Sequence, residues 1–174
     1  MKNTLFTNAA AAALTILTLS CCNKKEESPK TAEAPTIEWA ANPDFAVMEI
    51  SDQMDIDIRI RAEAGIRDFV VDVDSHAISP AISLFTTDGT SRMDLINDSK
   101  LIAMLAAFNI GLPAGEQLQN KTDVLFTLSS LVPMISDISG ERDHDTNHIF
   151  TLRMTDNENR TLSKSLIFHY SYIQ

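Results

Sequence analysis

The stretch Asp55-Ile56-Asp57-Ile58-Arg59-Ile60-Arg61, followed after Ala62-Glu63-Ala64-Gly65 by Ile66-Arg67-Asp68-Phe69-Val70-Val71-Asp72-Val73-Asp74, decides the fold. In its first half Ile56, Ile58 and Ile60 fall on one side of an extended chain and Asp55, Asp57, Arg59 and Arg61 on the other, which predicts a strand with one dry and one wet face. In its second half Phe69, Val71 and Val73 alternate with Val70, Asp72 and Asp74 and predict another. A hairpin about Glu63 and Ala64 would set Arg59 opposite Asp68, but also Asp55 opposite Asp72, and like charges directly opposed are unfavourable. A crossing at Gly65 instead places the strands in two sheets, with Ile58 and Phe69 meeting through a shared core. Both arrangements bury the same residues, so the backbone ladder distinguishes them.

The same pattern recurs outward along the chain. Phe150, Leu152 and Met154 alternate with Thr151, Arg153 and Thr155, and Asp156-Asn157-Glu158-Asn159-Arg160 then turns the chain into a closing strand over residues 161–170. Further strands are predicted at residues 122–128 and at 37–40, around the single Trp39. The middle differs, because Leu101, Ile102, Leu105 and Phe108 recur at helical spacing behind the capping candidates Asn97 and Asp98, predicting a short amphipathic helix over residues 98–109. A helical turn is expected at residues 130–137, with Pro133 in its first turn. The segment from Leu84 and Phe85 through Thr87-Asp88-Gly89-Thr90 reads equally as a short strand or a loop. Strands at both ends and no alternation of strand with helix give a mainly β, antiparallel sandwich.

The closing Thr155-Asp156-Asn157-Glu158-Asn159, with the alternating strand after it, resembles the final hairpin of bacterial immunoglobulin-like domains on cell surfaces. That family commonly has Gly where this chain has Glu158. The resemblance implies an immunoglobulin-like sandwich, here with a short helical insertion near residues 98–109.

The N-terminus obeys different rules. Lys2 is its only charge, residues 5–19 are largely apolar, and no acidic residue precedes Glu26. A membrane-spanning helix needs about 20 predominantly apolar residues, so this shorter run, interrupted by Thr7, Asn8, Thr15 and Thr18, reads as an export signal over residues 1–21. Leu19-Ser20-Cys21-Cys22 resembles a bacterial lipobox, in which the cysteine is lipidated and becomes the new N-terminus. Leu19 at the third position upstream favours Cys22, whereas a small Ser20 directly before it favours Cys21. Read from Cys22, Asn23-Lys24-Lys25-Glu26-Glu27 also resembles the lysine-plus-acidic export tag of Bacteroidota surface lipoproteins. The resemblance implies lipidation at Cys22 and a location on the outer face of the outer membrane, with the membrane a partner through the lipid. Residues 22–35 lack any large apolar side chain and contain Pro29 and Pro35, so they read as a flexible tether to a single domain over residues 36–174.

Removing the signal from the 174-residue chain leaves 153 residues with 13 basic and 24 acidic side chains, a net charge of −11. So acidic a chain repels phosphate backbones and excludes nucleic acid as a partner. No cysteine follows Cys22. The domain must then rest on an apolar core rather than a disulfide framework.

Residues that carry chemistry are sparse. Asp143-His144-Asp145-Thr146-Asn147-His148 concentrates oxygen and nitrogen donors suited to zinc or calcium, but the same residues make a solvated loop, which is the expected reading. Asp72 with Asp74, and Asp55 with Asp57, share a strand face as two catalytic carboxylates would, and as the wet face of a sheet also would. Asp156, Asn157 and Glu158 are calcium donors by type and turn formers by position. No glycine-flanked serine elbow and no phosphate-binding glycine loop occur. Tyr170, Tyr172, Trp39 and Phe168 could form an aromatic platform for a sugar, although core packing explains Phe168 and Trp39 better. The helix face of Leu101, Leu105 and Phe108 could dock a partner or cover its own sheet.

These readings predict no catalytic residue, no metal and no cofactor. They give a lipid-anchored, non-catalytic surface interaction module acting in adhesion, glycan capture or as an accessory subunit of an outer-membrane complex, with a glycan or protein as ligand. The alternatives are a small lipid-anchored polysaccharide hydrolase, using Asp72 and Asp74 or the cluster from Asp143 to His148, and a filament subunit with an exchangeable strand at residues 165–173.

Overall fold

A computed structural model describes residues 31–50, 54–129 and 146–170 of the chain. The export signal, Cys21, Cys22 and most of the tether lie outside the described residues, as do the turn expected at 130–137, Asp143, His144, Asp145 and Tyr172. In chain order the strands are β1 (Thr36–Trp39), β2 (Met48–Glu49), β3 (Asp57–Arg61), β4 (Ile66–Asp74), β5 (Arg92–Asp94), β6 (Asp123–Thr127), β7 (Thr146–Asp156) and β8 (Thr161–Tyr170). Helix α1 (Ser79–Phe85) joins β4 to β5, and helix α2 (Ser99–Ala107) lies between β5 and β6.

The strands form two sheets, one of order β1-β3-β6 and one of order β2-β8-β7-β4-β5. All pairings are antiparallel except the two-residue contact of β2 with β8, which is parallel. In an immunoglobulin-like sandwich β1, β3 and β6 hold the places of strands A, B and E, and β4, β7 and β8 those of C, F and G. The fold is therefore mainly β, with short helical insertions where the chain passes from the C position to the E position.

The crossing between β3 and β4 is found as the charge pattern requires. β3 bonds to β1 and β6, whereas β4 bonds to β7 and β5. Gly65 makes the crossing at φ +84°, where a Cβ would stand 2.9 Å from Asn157 Nδ2 and 3.2 Å from the Asn120 carbonyl oxygen. Only glycine takes that conformation and that approach without cost. The Asn157 amide donates to the Gly65 carbonyl (3.0 Å) and the Asn157 side chain to the Ala64 carbonyl (2.9 Å), which ties the crossing to the last hairpin.

Between the sheets Ile58, Ile60, Phe69, Phe126, Leu152, Met154, Leu166 and Phe168 are almost wholly removed from water. Ile58 pairs in register with Phe126, and the Phe126 ring meets Phe69 edge to face at 5.3 Å, so the sheets touch through Phe126. Trp39 does the same against Phe168 at 6.1 Å, with its indole N–H donating to the Asp55 carbonyl (2.9 Å). Outside, Arg59 pairs with Asp123 (2.5 Å) and Arg61 with Glu38 (2.9 Å). These half-exposed pairs hold register more than they add stability.

The first strand is divided between the sheets, β1 in one and β2 in the other. Phe45 turns the chain between them at φ 53°. The Asn42 side chain holds that bend by donating to the Ala46 carbonyl (2.7 Å) and accepting its amide (3.1 Å). At the other end of the chain, four residues, 157–160, connect β7 to β8, and among them Asn159, at φ 63°, is the left-handed residue. The Asn159 amide donates to the Asp156 carbonyl (3.0 Å). This is a type I turn closed by a left-handed residue, and it makes no demand for Gly at Glu158.

Helix α2 starts where Asp98 accepts the Leu101 amide (3.0 Å), so of the two capping candidates Asp98 is the one used. Of the segment that reads as strand or loop, Leu84 and Phe85 close helix α1, which has Pro80 in its first turn and no side-chain cap at Ile78. The six-residue loop after it leads into β5.

Candidate functional site

The two helices do not press flat onto the sandwich. Between them and the inner faces of the sheets lies a cavity of about 470 Å³, within the range of small-molecule sites. Its floor is Phe126, Phe150 and Phe168 from three strands, and Ile82 of α1 and Leu105 of α2 stand in its walls. Phe150 and Phe168 meet edge to face at 5.9 Å. Phe85 and Phe108 reach it from the ends of the two helices, their rings 6.2 Å apart, and Phe108 is 62% exposed. Every described wall side chain is aliphatic, aromatic or methionine.

The cavity lies toward the pole of the sandwich away from Gly65. Ile56 before β3, Leu128 after β6 and Phe168 near the end of β8 all contribute to it. Phe150 lies six residues along β7 from Asp156, roughly 20 Å at 3.3 Å per residue. Residues 130–145, which connect the wall residue Leu128 to β7, are outside the described residues.

The groups with displaced ionisation lie elsewhere. Burial works to raise the Asp156 pKa, but the amide and guanidinium of Arg160 and the amide of Glu158 outweigh it and hold the carboxyl below its ordinary value. Burial likewise opposes, without cancelling, the lowering of Asp98 by the hydroxyl and amide of Thr87 and the Leu101 amide. Asp123 is lowered chiefly by its hydrogen bond from Arg59, and Asp88 by the Thr90 amide and hydroxyl. Each serves a cap, a turn or an ion pair, and none lines the cavity.

None of the described carboxylates proposed from sequence lines the cavity. Asp72 lies on the outer face of its sheet, paired with Arg153 at 3.1 Å and in register with Thr151 and Arg92. Asp57 accepts from the Ser129 hydroxyl (3.4 Å). The Asp156 carboxylate is consumed by its own turn, accepting the amides of Glu158 and Arg160 (2.9 Å each) and Arg160 Nε (2.7 Å). Of the histidine and aspartate cluster, His148 turns inward and is fully buried, while Asn147 bonds to His169 (3.0 Å). Among the described residues no three His, Cys, Asp or Glu side chains converge as a metal site would need. The sugar platform does not form from Trp39 and Phe168, because both are in the core at 1% and 2% exposure. A flat ring surface in water cannot be built from rings packed edge to face.

One pairing has no counterpart in the sequence reading. Ser75 Oγ lies 2.7 Å from His148 Nδ1, a nucleophile-to-base distance, though the residues are 73 positions apart. Both are buried, and the Ser75 hydroxyl also accepts the Ile78 amide (3.0 Å) at the start of α1. The pair fastens α1 to β7 and presents no hydroxyl to a substrate. The strand offered for exchange, β8, pairs with β7 along ten residues and with β2 on its other side.

Compared with known proteins, the chain matches no family model, no curated protein and no solved structure.

Proposed function

We propose that this chain is a lipid-anchored, non-catalytic binding module held by Cys22 on the outer face of the outer membrane. The observation that carries the binding reading is the apolar cavity between the helices and the sheets. The described wall residues carry no nucleophile, acid or base, which favours holding a ligand over transforming it. The anchor rests on Leu19-Ser20-Cys21-Cys22 and the tag after it, which belong to a chain whose folded unit uses no cysteine.

Mass spectrometry of the mature N-terminus tests the anchor. A diacyl or triacyl Cys22 is expected, a start at Cys21 moves the site by one, and an unlipidated N-terminus refutes it. Replacing Lys25, Glu26 and Glu27 by Ala should leave lipidation intact and reduce protease shaving from whole cells. Unchanged shaving would remove the surface assignment.

A further inference from the structure

We infer that the cavity takes a single unbranched acyl chain from a lipid with an uncharged or zwitterionic head, an inference that rests on the binding-module reading and names its ligand class. Sugars and peptides need hydrogen-bond partners for the groups they bury. Wall residues such as Ile82, Leu105 and Phe150 offer only carbon and hydrogen. A ligand that satisfies this wall has no polar atom along the buried part of its length.

Size narrows the class. Packed interiors contain few voids larger than a water molecule, whereas about 470 Å³ accommodates roughly fifteen groups at about 30 Å³ each. That is about the bulk of one medium-to-long acyl chain. Shape and plasticity agree, since Met93 and Met104 in the wall adapt to a flexible chain better than branched side chains do. At the opening the exposed Phe108 ring and its neighbour Phe85 give the chain an apolar threshold, and a polar head would remain in water there. The mature chain's net charge of −11 disfavours a carboxylate head relative to a neutral or zwitterionic one.

The test uses the mature chain carrying Cys22→Ser, so that no lipid of its own competes, titrated by calorimetry with lysophosphatidylcholines below their micelle-forming concentrations. From the lauroyl to the palmitoyl chain, affinity should rise about tenfold for every two methylenes, then level off or fall at the behenoyl chain because the cavity is finite. Palmitate should bind more weakly at low salt and approach the lysolipid as salt screens the repulsion. Ile82→Trp and Met104→Trp, each checked for a cooperative melt, should reduce palmitoyl binding at least about tenfold by filling the space. Absence of binding would mean that the chain fills the cavity itself and would overturn the inference. Affinity that climbs without limit with chain length, or that ignores both tryptophans, would mean surface adsorption and overturn it equally. Lipidation and surface exposure are read separately, so this failure leaves the anchored module standing with a different ligand.

Discussion

Asp156 shows how a single residue holds the end of the sandwich. It is fully buried, yet its carboxylate accepts two amides and a guanidinium, and the same Arg160 reaches back to the Ala32 carbonyl (2.6 Å). Because these donors hold its folded pKa below the unfolded value of about 3.9, the carboxylate contributes stability that is complete above that value. The contribution is lost as pH falls through the lowered folded value. Asp156→Asn should therefore cost about 1.5–3 kcal/mol at neutral pH, and denaturant titrations of the two proteins should converge in acid. A difference that persists undiminished at low pH would mean that shape and not charge does the holding.

At the scale of elements, alternation made β3, β4, β7 and β8 legible, because a half-buried strand must place its apolar residues two apart. Other elements were not legible for physical reasons. β2 and β5 span two and three residues, too short for any period to register. Helix α1 starts with Ile78 in the capping position and a proline next to Ser79, so it carries turn chemistry at its start and no cap. Asp98, by contrast, could be read as a cap because it is followed by a periodic apolar run. The cavity was hidden for a different reason: Phe126, Phe150, Leu105 and Ile82 come from separate elements, and each alone looks like ordinary core. The facing of β4 toward the other sheet is testable by two substitutions. Phe69→Ala, which empties the contact with Phe126, should cost about 3–5 kcal/mol. Asp72→Asn, which breaks a half-exposed pair with Arg153, should cost about 0–1 kcal/mol. Chemical denaturation checks both, and a large loss from the second would place Asp72 in a buried network.

For the whole molecule, the compact unit spans Ala32–Gln174 and so begins a few residues before the strand pattern does, because Ala32 and Glu33 bond to Arg160 and Glu63. No thiol follows Cys22. A mature chain with an unlipidated Cys22 should melt in one cooperative transition whose midpoint is the same with and without reductant. A shift on reduction would reveal a covalent link between molecules. The contacts of Ala32 and Glu33 also decide how the protein takes a mechanical load. They sit beside Thr36, which pairs with Arg61 at the Gly65 pole, so a pull on the N-terminus enters there and is resisted by whatever is held at the far pole. The tension then runs along the strands, and the ladder of β1 against β3 is loaded in shear, all its bonds together, instead of being peeled open one bond at a time.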